Sequence, residues 1–179
     1  MGRYLVQRNM LRIILITFVI MINVGCDQIS KNLVRDRLHY YQKISLVKDY
    51  FTLTKVENTG AFLGLGSNFP PLIKKVIFSI LPAAVLVIAL FVLLSKLNLG
   101  FYAIFGLCFM IGGGVGNVID RIRYESVTDF LHIDLGIVST GIFNLADVSI
   151  MLGLALLTIQ HFFPKANTIS ASTGSPEDS

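Results

Sequence analysis

A membrane all-α domain is the fold class this sequence predicts, a four-transmembrane-helix bundle with a small extramembrane β-sheet cradle on one side. Three observations predict it. The 179 residues are 54% hydrophobic and only 15% charged, where a soluble domain carries about 25% Asp, Glu, Lys and Arg, and mean hydropathy is +0.70. The apolar residues gather into four runs, each near the roughly 20 residues of helix that a hydrocarbon core of about 30 Å requires. Between the runs lie two polar excursions in which apolar and polar residues alternate. Together these exclude a secreted enzyme, a disulfide-framed module and an ordinary cytosolic domain.

The first span is expected at about 11–30, with 13–24 as its apolar centre. An excursion over about 32–71 follows, and within it Phe51-Thr52-Leu53-Thr54-Lys55-Val56 alternates with period two and reads as a strand. The second span, about 72–94, contains Pro82, tolerable in a membrane helix when neighbours satisfy the freed carbonyl. The short Ser95-Lys96-Leu97-Asn98 turn leads to a third span at about 99–119. The second excursion, about 122–141, holds the alternating Leu131-His132-Ile133-Asp134-Leu135. A fourth span covers about 142–163, giving one domain over 1–163. The polar stretch 164–179, ending Thr173-Gly174-Ser175-Pro176-Glu177-Asp178-Ser179, is expected to be a disordered tail.

An even number of spans puts both termini on one side. Arg3, Arg8, Arg12, Lys96 and Lys165 fall on that side, and the remaining ten of the fifteen basic residues fall on the other. Counted over short loops, the positive-inside rule would place the termini outside. Val24-Gly25-Cys26, after a basic and apolar stretch, resembles a lipoprotein cleavage site that would remove the first span. Three further spans make that reading the weaker one. Cys26 and Cys108 form no disulfide or metal pattern, and three histidines without a Cys/His cluster give no zinc motif. No metal is expected. The net charge of +4 is spread along the chain, so no nucleic-acid partner is expected either.

The polar residues within the spans are the informative ones, because a charge near the bilayer centre costs at least about 2.5–3.5 kcal/mol. Asp27 lies sixteen residues beyond Leu11, roughly 24 Å along a helix and so near the far membrane face. Lys31 follows four residues later on the same helical face. Span three ends Gly112-Gly113-Gly114-Val115-Gly116-Asn117-Val118-Ile119-Asp120-Arg121, whose glycines let a helix or peptide approach closely. Asn117 and Asp120 share a face, as do Asn144 and Asp147 at the start of span four. Asp27, Asp120, Asp129 and Asp147 thus reach one level, with Asp129 in the loop between spans three and four and Asn58 arriving from the first excursion.

Two carboxyls a few ångströms apart share one proton, so one takes a proton from water while the other polarises a carbonyl. That is the logic of an aspartic peptidase. Two other classes compete. A transporter or lipid-binding bundle would use the carboxylates as a relay, but no internal repeat is visible. A Ser–Lys peptidase would use Ser30 and Lys31, adjacent residues that point to different helix faces.

Asp27-Gln28-Ile29-Ser30-Lys31, Asn58-Thr59-Gly60-Ala61-Phe62, the glycine-rich end of span three, Val127-Thr128-Asp129-Phe130 and Phe143-Asn144-Leu145-Ala146-Asp147 together resemble the ordered motifs of bacterial lipoprotein signal peptidase, signal peptidase II. The resemblance covers about residues 10–163. It implies an aspartic endopeptidase of the bacterial cytoplasmic membrane that uses no cofactor. Such an enzyme removes the signal peptide from diacylglyceryl-modified prolipoproteins, cutting just before the lipidated cysteine. It further implies cytoplasmic termini, an active site toward the outer side, membrane lipid as surroundings and a monomer. The catalytic pair it implies is Asp129 and Asp147. Asp27, Lys31, Asn58, Gly60, Gly116, Asn117, Asp120, Arg121 and Asn144 are expected to bind substrate or support the pair. Asp120, beside Arg121 at a helix end, reads as structural and is the main rival for the dyad. One departure is visible: the family pattern around Asn58 has two small residues before the aromatic, whereas Phe62 here directly follows Ala61.

Overall fold

The computed structural model describes residues 2–48, 50–61 and 64–163, so Phe62 and the stretch 164–179 expected to be a disordered tail lie outside the described residues. Among the described residues, four helices are long and apolar enough to cross a membrane: α1 (Gly2–Arg37, its candidate span Asn9–Arg37), α2 (Pro71–Ser95), α3 (Phe101–Tyr124) and α4 (Leu145–Phe162). The first excursion supplies strands β1 (Lys43–Val47) and β2 (Phe51–Asn58), and the second supplies β3 (Val127–Ile133).

On α1 the buried positions Ile16, Asn23, Asp27, Lys31 and Val34, continued by Leu38 just past its end, recur at steps of three, four and seven. They form one stripe, while Ile14, Phe18, Met21, Ile22 and Leu33 are exposed as a lipid-facing helix requires. The stripe changes from apolar to polar and back to apolar along the helix. The helix therefore continues through Lys31, where a span expected at 11–30 stopped, because that ammonium finds buried partners. It also runs unbroken through Cys26, and its residues beyond that point carry much of the site.

Helix α2 bends its hydrogen-bond ladder before Pro82. Val76–Ile80 form a π turn, and the α-helix resumes at Leu81–Ser95 with proline in its first turn. A widened turn accommodates the missing N–H and the ring that would otherwise collide with the preceding turn. Helix α3 is central, packed on α1, α2 and α4. It ends at Glu125, whose left-handed backbone (φ 57°) redirects the chain into β3 two residues later.

The sheet is antiparallel in the order β1-β2-β3. Residues of β1 are all exposed, an edge strand whose short Lys43-Ile44-Ser45-Leu46-Val47 pattern gave no sequence signal. β2 runs two residues beyond the expected Val56, to Asn58. β3 starts at Val127 rather than Leu131, and Asp129, expected in a loop, lies on this strand. Its first five residues are buried on both faces, so the alternation that marks a strand is missing there. Val34, Leu38, Phe130 and Leu131 form the cluster that seats the sheet on the upper end of α1. A second cluster, Ile16, Leu93, Cys108 and Ile111, lies inside the bundle. At the opposite end, Arg12 Nη2 donates to Leu93 O (2.8 Å) and Lys96 O (2.7 Å), tying the start of α1 to the end of α2.

Candidate active site

Asn144 caps α4. Its Oδ1 accepts from the backbone N of Asp147 (3.0 Å), and its own backbone N donates to Asp147 Oδ2 (3.1 Å), a reciprocal capping box. The local sequence Asn144-Leu145-Ala146-Asp147 dictates this, with a short amide at the cap and a carboxylate three residues on. The remaining group of Asn144, Nδ2, donates to Asp129 Oδ1 at 2.6 Å. One fully buried asparagine therefore joins both carboxyls expected to be catalytic.

Each carboxyl has a second amide partner. Asn58 Nδ2 donates to Asp129 Oδ2 (3.0 Å) and to Ala61 O (3.1 Å), while Asn58 Oδ1 accepts from Gly60 N (3.0 Å). Asn117 Nδ2 donates to Asp147 Oδ1 (2.9 Å). Arg121 Nη2 holds the loop from above through Gly60 O (3.1 Å), and its guanidinium feels Asp129, Asp147 and Asp120. Gly60 has no room for a side chain, since a Cβ would stand 2.5 Å from Leu65 O.

Below this pair lies a charged cluster. Lys31, fully buried, points its three donors at Asp27 Oδ2 (2.8 Å), Asp120 Oδ2 (3.1 Å) and Asn117 Oδ1 (2.9 Å). Asp120 Oδ2 also meets Arg35 Nη2 (3.0 Å) and Thr128 N (3.3 Å), and Gln28 Nε2 donates to Asp120 Oδ1 (3.0 Å). Asp27 Oδ1 accepts from Ala146 N (2.9 Å), a further donor of the α4 N-terminus. A Cβ on Gly116 would collide with Asp27 Oδ2, and one on Gly113 with Ala146 O, so these glycines set the depth at which α1 and α4 meet α3.

Asp129 is nearly buried, at 5% exposure. Burial pushes its carboxyl up to about 6, the charge of Asp147 adds to that, and the Asn58 and Asn144 hydrogen bonds and Lys31 pull against it. It opens on a cleft of about 290 Å³ walled by Val56, Glu57, Asn58, Thr59, Ser67 and Ile142. A protonatable carboxyl at the edge of a cleft, coupled to a second one through a shared amide, is suited to moving a proton to and from a water molecule. Among the described residues no three His, Cys, Asp or Glu side chains converge in a way that would hold a metal ion.

The structure thus brings together every residue expected to catalyse, to bind substrate or to support the pair. Asp129, Asp147, Asn58, Asn117 and Asn144 form the upper network, Asp27, Lys31, Asp120 and Gly116 the lower one, and Arg121 and Gly60 the roof. Ser30 and Lys31 do not meet as a dyad, for Ser30 Oγ donates to Asp27 O (2.7 Å) while Lys31 faces the carboxylates. Sequence reasoning missed Arg35, Glu57, Thr128 and Ser126. Arg35 lies four residues beyond Lys31, so the α1 stripe was the available signal; Glu57 and Ser126 had none.

Comparison with known proteins adds an independent line. The family model described as Signal peptidase (SPase) II matches residues 19–163. A lipoprotein signal peptidase of Desulforapulum autotrophicum is 30% identical over 88% of this chain and 96% of its own length. One from Chlorobium phaeobacteroides is 37% identical over 75% and 82%. A solved structure described as a bacterial membrane enzyme superposes with a TM-score of 0.75 at 20% identity, covering 90% of this chain and 94% of that one.

Proposed function

This chain belongs to the signal peptidase II family, and from that premise we propose that Asp129 and Asp147 are the catalytic pair with which it processes prolipoproteins. It is a peptidase and a multi-pass membrane protein. The observation that carries the proposal is Asn144, which holds Asp129 Oδ1 by its side chain and Asp147 by its capping box.

The substrate is a prolipoprotein whose cysteine carries diacylglycerol. Its signal peptide enters sideways from the bilayer and lies unwound along the cleft beside Asp129, the acyl chains remaining in lipid. A water between the carboxyls gives a proton to the ionised one as its oxygen attacks the scissile carbonyl. The protonated carboxyl, assigned to Asp129 because burial raises it to about 6, donates to the carbonyl oxygen. The resulting gem-diol collapses, the C–N bond breaks, and the cysteine nitrogen takes the proton held by the dyad. The products are the signal-peptide carboxylic acid and a lipidated cysteine with a free amine. Asn58, Asn117 and Asn144 fix the carboxyls, and Arg121 with Gly60 holds the loop that excludes water during the reaction.

The site opens toward the outer side, with both termini cytoplasmic. The excess of basic residues that contradicts this by simple count shrinks on inspection. Lys31 and Arg35 are spent on Asp27 and Asp120, Lys55 Nζ on Arg35 O (2.9 Å) and Arg121 on Gly60 O. Charges held within the protein do not act as free loop charges toward the membrane potential. The protein is proposed to work as a monomer, without a cofactor.

The test is cleavage of a diacylglyceryl-modified prolipoprotein in detergent by wild type, Asp129→Asn and Asp147→Asn. Each variant should bind substrate and lose turnover by about 10³-fold or more. Retained cleavage by either would overturn the assignment.

A further inference from the structure

Behind Asp129, on the opposite face of the sheet, lies a hydrogen-bonded chain that the proposed reaction does not use. β2 and β3 pair Val56 with Asp129, Glu57 with Thr128 and Asn58 with Val127. Side chains alternate along each strand, so Asn58 and Asp129 share the cleft face while Glu57 and Thr128 share the other. Glu57 Oε1 accepts from Thr128 Oγ1 (2.7 Å) and Glu57 Oε2 from Ser126 Oγ (2.5 Å). Thr128 Oγ1 accepts in turn from Arg35 Nε (2.8 Å), while Thr128 N donates to Asp120 Oδ2 (3.3 Å). The Arg35 guanidinium lies 3.9 Å over the ring of Tyr124 and pairs with Asp120. Thr128 is fully buried. Strand β3 is thereby pinned to α1 and α3 from behind, and Glu57 pins β2 to β3 one residue from the Asn58–Asp129 contact.

We propose that Glu57 is a positioning residue for the dyad, acting through Thr128 to lock β2 against β3 so that Asn58 stays in hydrogen-bonding reach of Asp129. The proposal rests on the reading that Asp129 is one of the catalytic pair. A bulge between Leu53 and Val56 interrupts the register just before this point, so backbone pairing alone leaves the end of β2 weakly fixed. Asn58 continues into the loop over the cleft. A clamp at Glu57 therefore decides whether that loop begins with its amide on the carboxyl. Both Glu57 oxygens are engaged by Thr128 and Ser126, so although Glu57 also lines the cleft, its carboxylate is committed to the clamp.

The consequence is a proton-affinity effect. The Asn58 hydrogen bond favours the ionised form of Asp129, opposing burial and the neighbouring Asp147. The other charged groups facing Asp129 are Lys31 from α1 and Arg121 from α3. Loosening the clamp weakens the Asn58 contact while those charges stay in place, so Asp129 holds its proton to higher pH.

The experiment measures kcat, KM and the pH profile of kcat/KM on a diacylglyceryl-modified prolipoprotein in detergent. The proteins are full-length wild type, Glu57→Gln, Thr128→Val, Thr128→Ser, Asn58→Ala, Asp129→Asn and the Glu57→Gln/Asn58→Ala double variant. In wild type the limb on which kcat/KM falls with rising pH reports the free enzyme's Asp129, at about 6. Glu57→Gln leaves one acceptor oxygen for two hydroxyls, and Thr128→Val removes the hydroxyl that bridges Glu57 and Arg35. Glu57→Gln and Thr128→Val should each lower kcat by about tenfold, hold KM within about twofold, and move that limb to higher pH in the same direction as Asn58→Ala. Thr128→Ser should recover most of the Thr128→Val loss. The double variant should be no worse than Asn58→Ala alone, because both changes remove one contact. An unchanged kcat and limb in Glu57→Gln, a loss without movement of the limb, or losses that multiply in the double variant would each overturn the proposal. Full turnover by Asp129→Asn would overturn the dyad reading and this proposal with it. An inactive Asp129→Asn beside an unaltered Glu57→Gln would overturn this proposal alone.

Discussion

Asp120 and Asp129 lie nine residues apart in sequence, both buried, and their surroundings are opposite in kind. Around Asp120 two of the donors are cations, Lys31 and Arg35, which meet one oxygen together with Thr128 N, while the amide of Gln28 meets the other. Around Asp129 they are neutral amides, Asn58 and Asn144, one to each oxygen. A buried carboxylate matched by cations acts as a fixed strut between the elements that supply them. One held directly by neutral amides has its burial cost only partly offset and stays ready to take a proton. The contrast, more than proximity to the cleft, separates the structural carboxylate from the proposed catalytic one.

The largest effect tests that contrast directly. Changing aspartate to asparagine at Asp129 should remove about 10³-fold or more of turnover while the protein remains folded. The same change at Asp120 should leave turnover per folded molecule within about tenfold, with the damage appearing as lost stability. Turnover and folded fraction measured on the same samples separate the two. A folded Asp120→Asn protein as inactive as Asp129→Asn would erase the distinction.

Truncation sharpens it. Asp120→Ala leaves Arg35 without its carboxylate and Lys31 with one fewer, and breaking a buried pair of this kind costs about 3–5 kcal/mol. Asp129→Ala leaves Asn144 Nδ2 without its acceptor, about 1–3 kcal/mol, while Asn58 Nδ2 keeps Ala61 O. Chemical denaturation in detergent should therefore rank Asp120→Ala below Asp129→Ala. The reverse ranking would mean that the cations around Asp120 are satisfied elsewhere.

The two networks differed in how far the sequence revealed them. Asp27 and Lys31, four apart on one helix, and Asn144 and Asp147, three apart at a helix start, follow from helical geometry alone. The Lys31–Asn117 and Asn144–Asp129 bonds join separate elements, and only their common depth in the membrane was legible. Asp129 was placed in a loop because a strand buried on both faces loses the alternation by which strands are read. β1, exposed throughout, had too little apolar pattern to register. Arg35 reads as an ordinary charge beyond the end of a span unless the α1 stripe is followed four residues past Lys31. Glu57 depends on partners 69 and 71 residues away, Ser126 and Thr128, for which local sequence carries no signal.

A smaller effect should appear in the pH dependence of stability. Asp129 ionises at about 6 in the fold, against an ordinary value of 3.8. Between those values the native state binds more protons than the unfolded chain, so stability falls as pH rises through the window from about 4 to about 6, then levels off. At about 1.4 kcal/mol per pKa unit the fall amounts to about 2–3 kcal/mol. Unfolding curves at pH 4 to 8 should show it in wild type and Asp120→Asn and lose it in Asp129→Asn. A wild-type curve that rises across the window would mean that Asp129 is compensated by charge after all.

The smallest effect is expected at Ser30, and it bears on what kind of peptidase the lower network could support. Ser30 Oγ donates back to Asp27 O one turn earlier on the same helix, a local bond that slightly competes with the helix's own ladder. Lys31 Nζ already has three acceptors in Asp27, Asp120 and Asn117, so it has no lone pair directed at the hydroxyl and no role as its base. Ser30→Ala should accordingly change turnover by less than about twofold and stability by within about 0.5 kcal/mol. A collapse of turnover in a folded Ser30→Ala protein, together with survival of Asp129→Asn, would transfer the chemistry from the amide-held carboxyls to the cation-held cluster and invert the comparison.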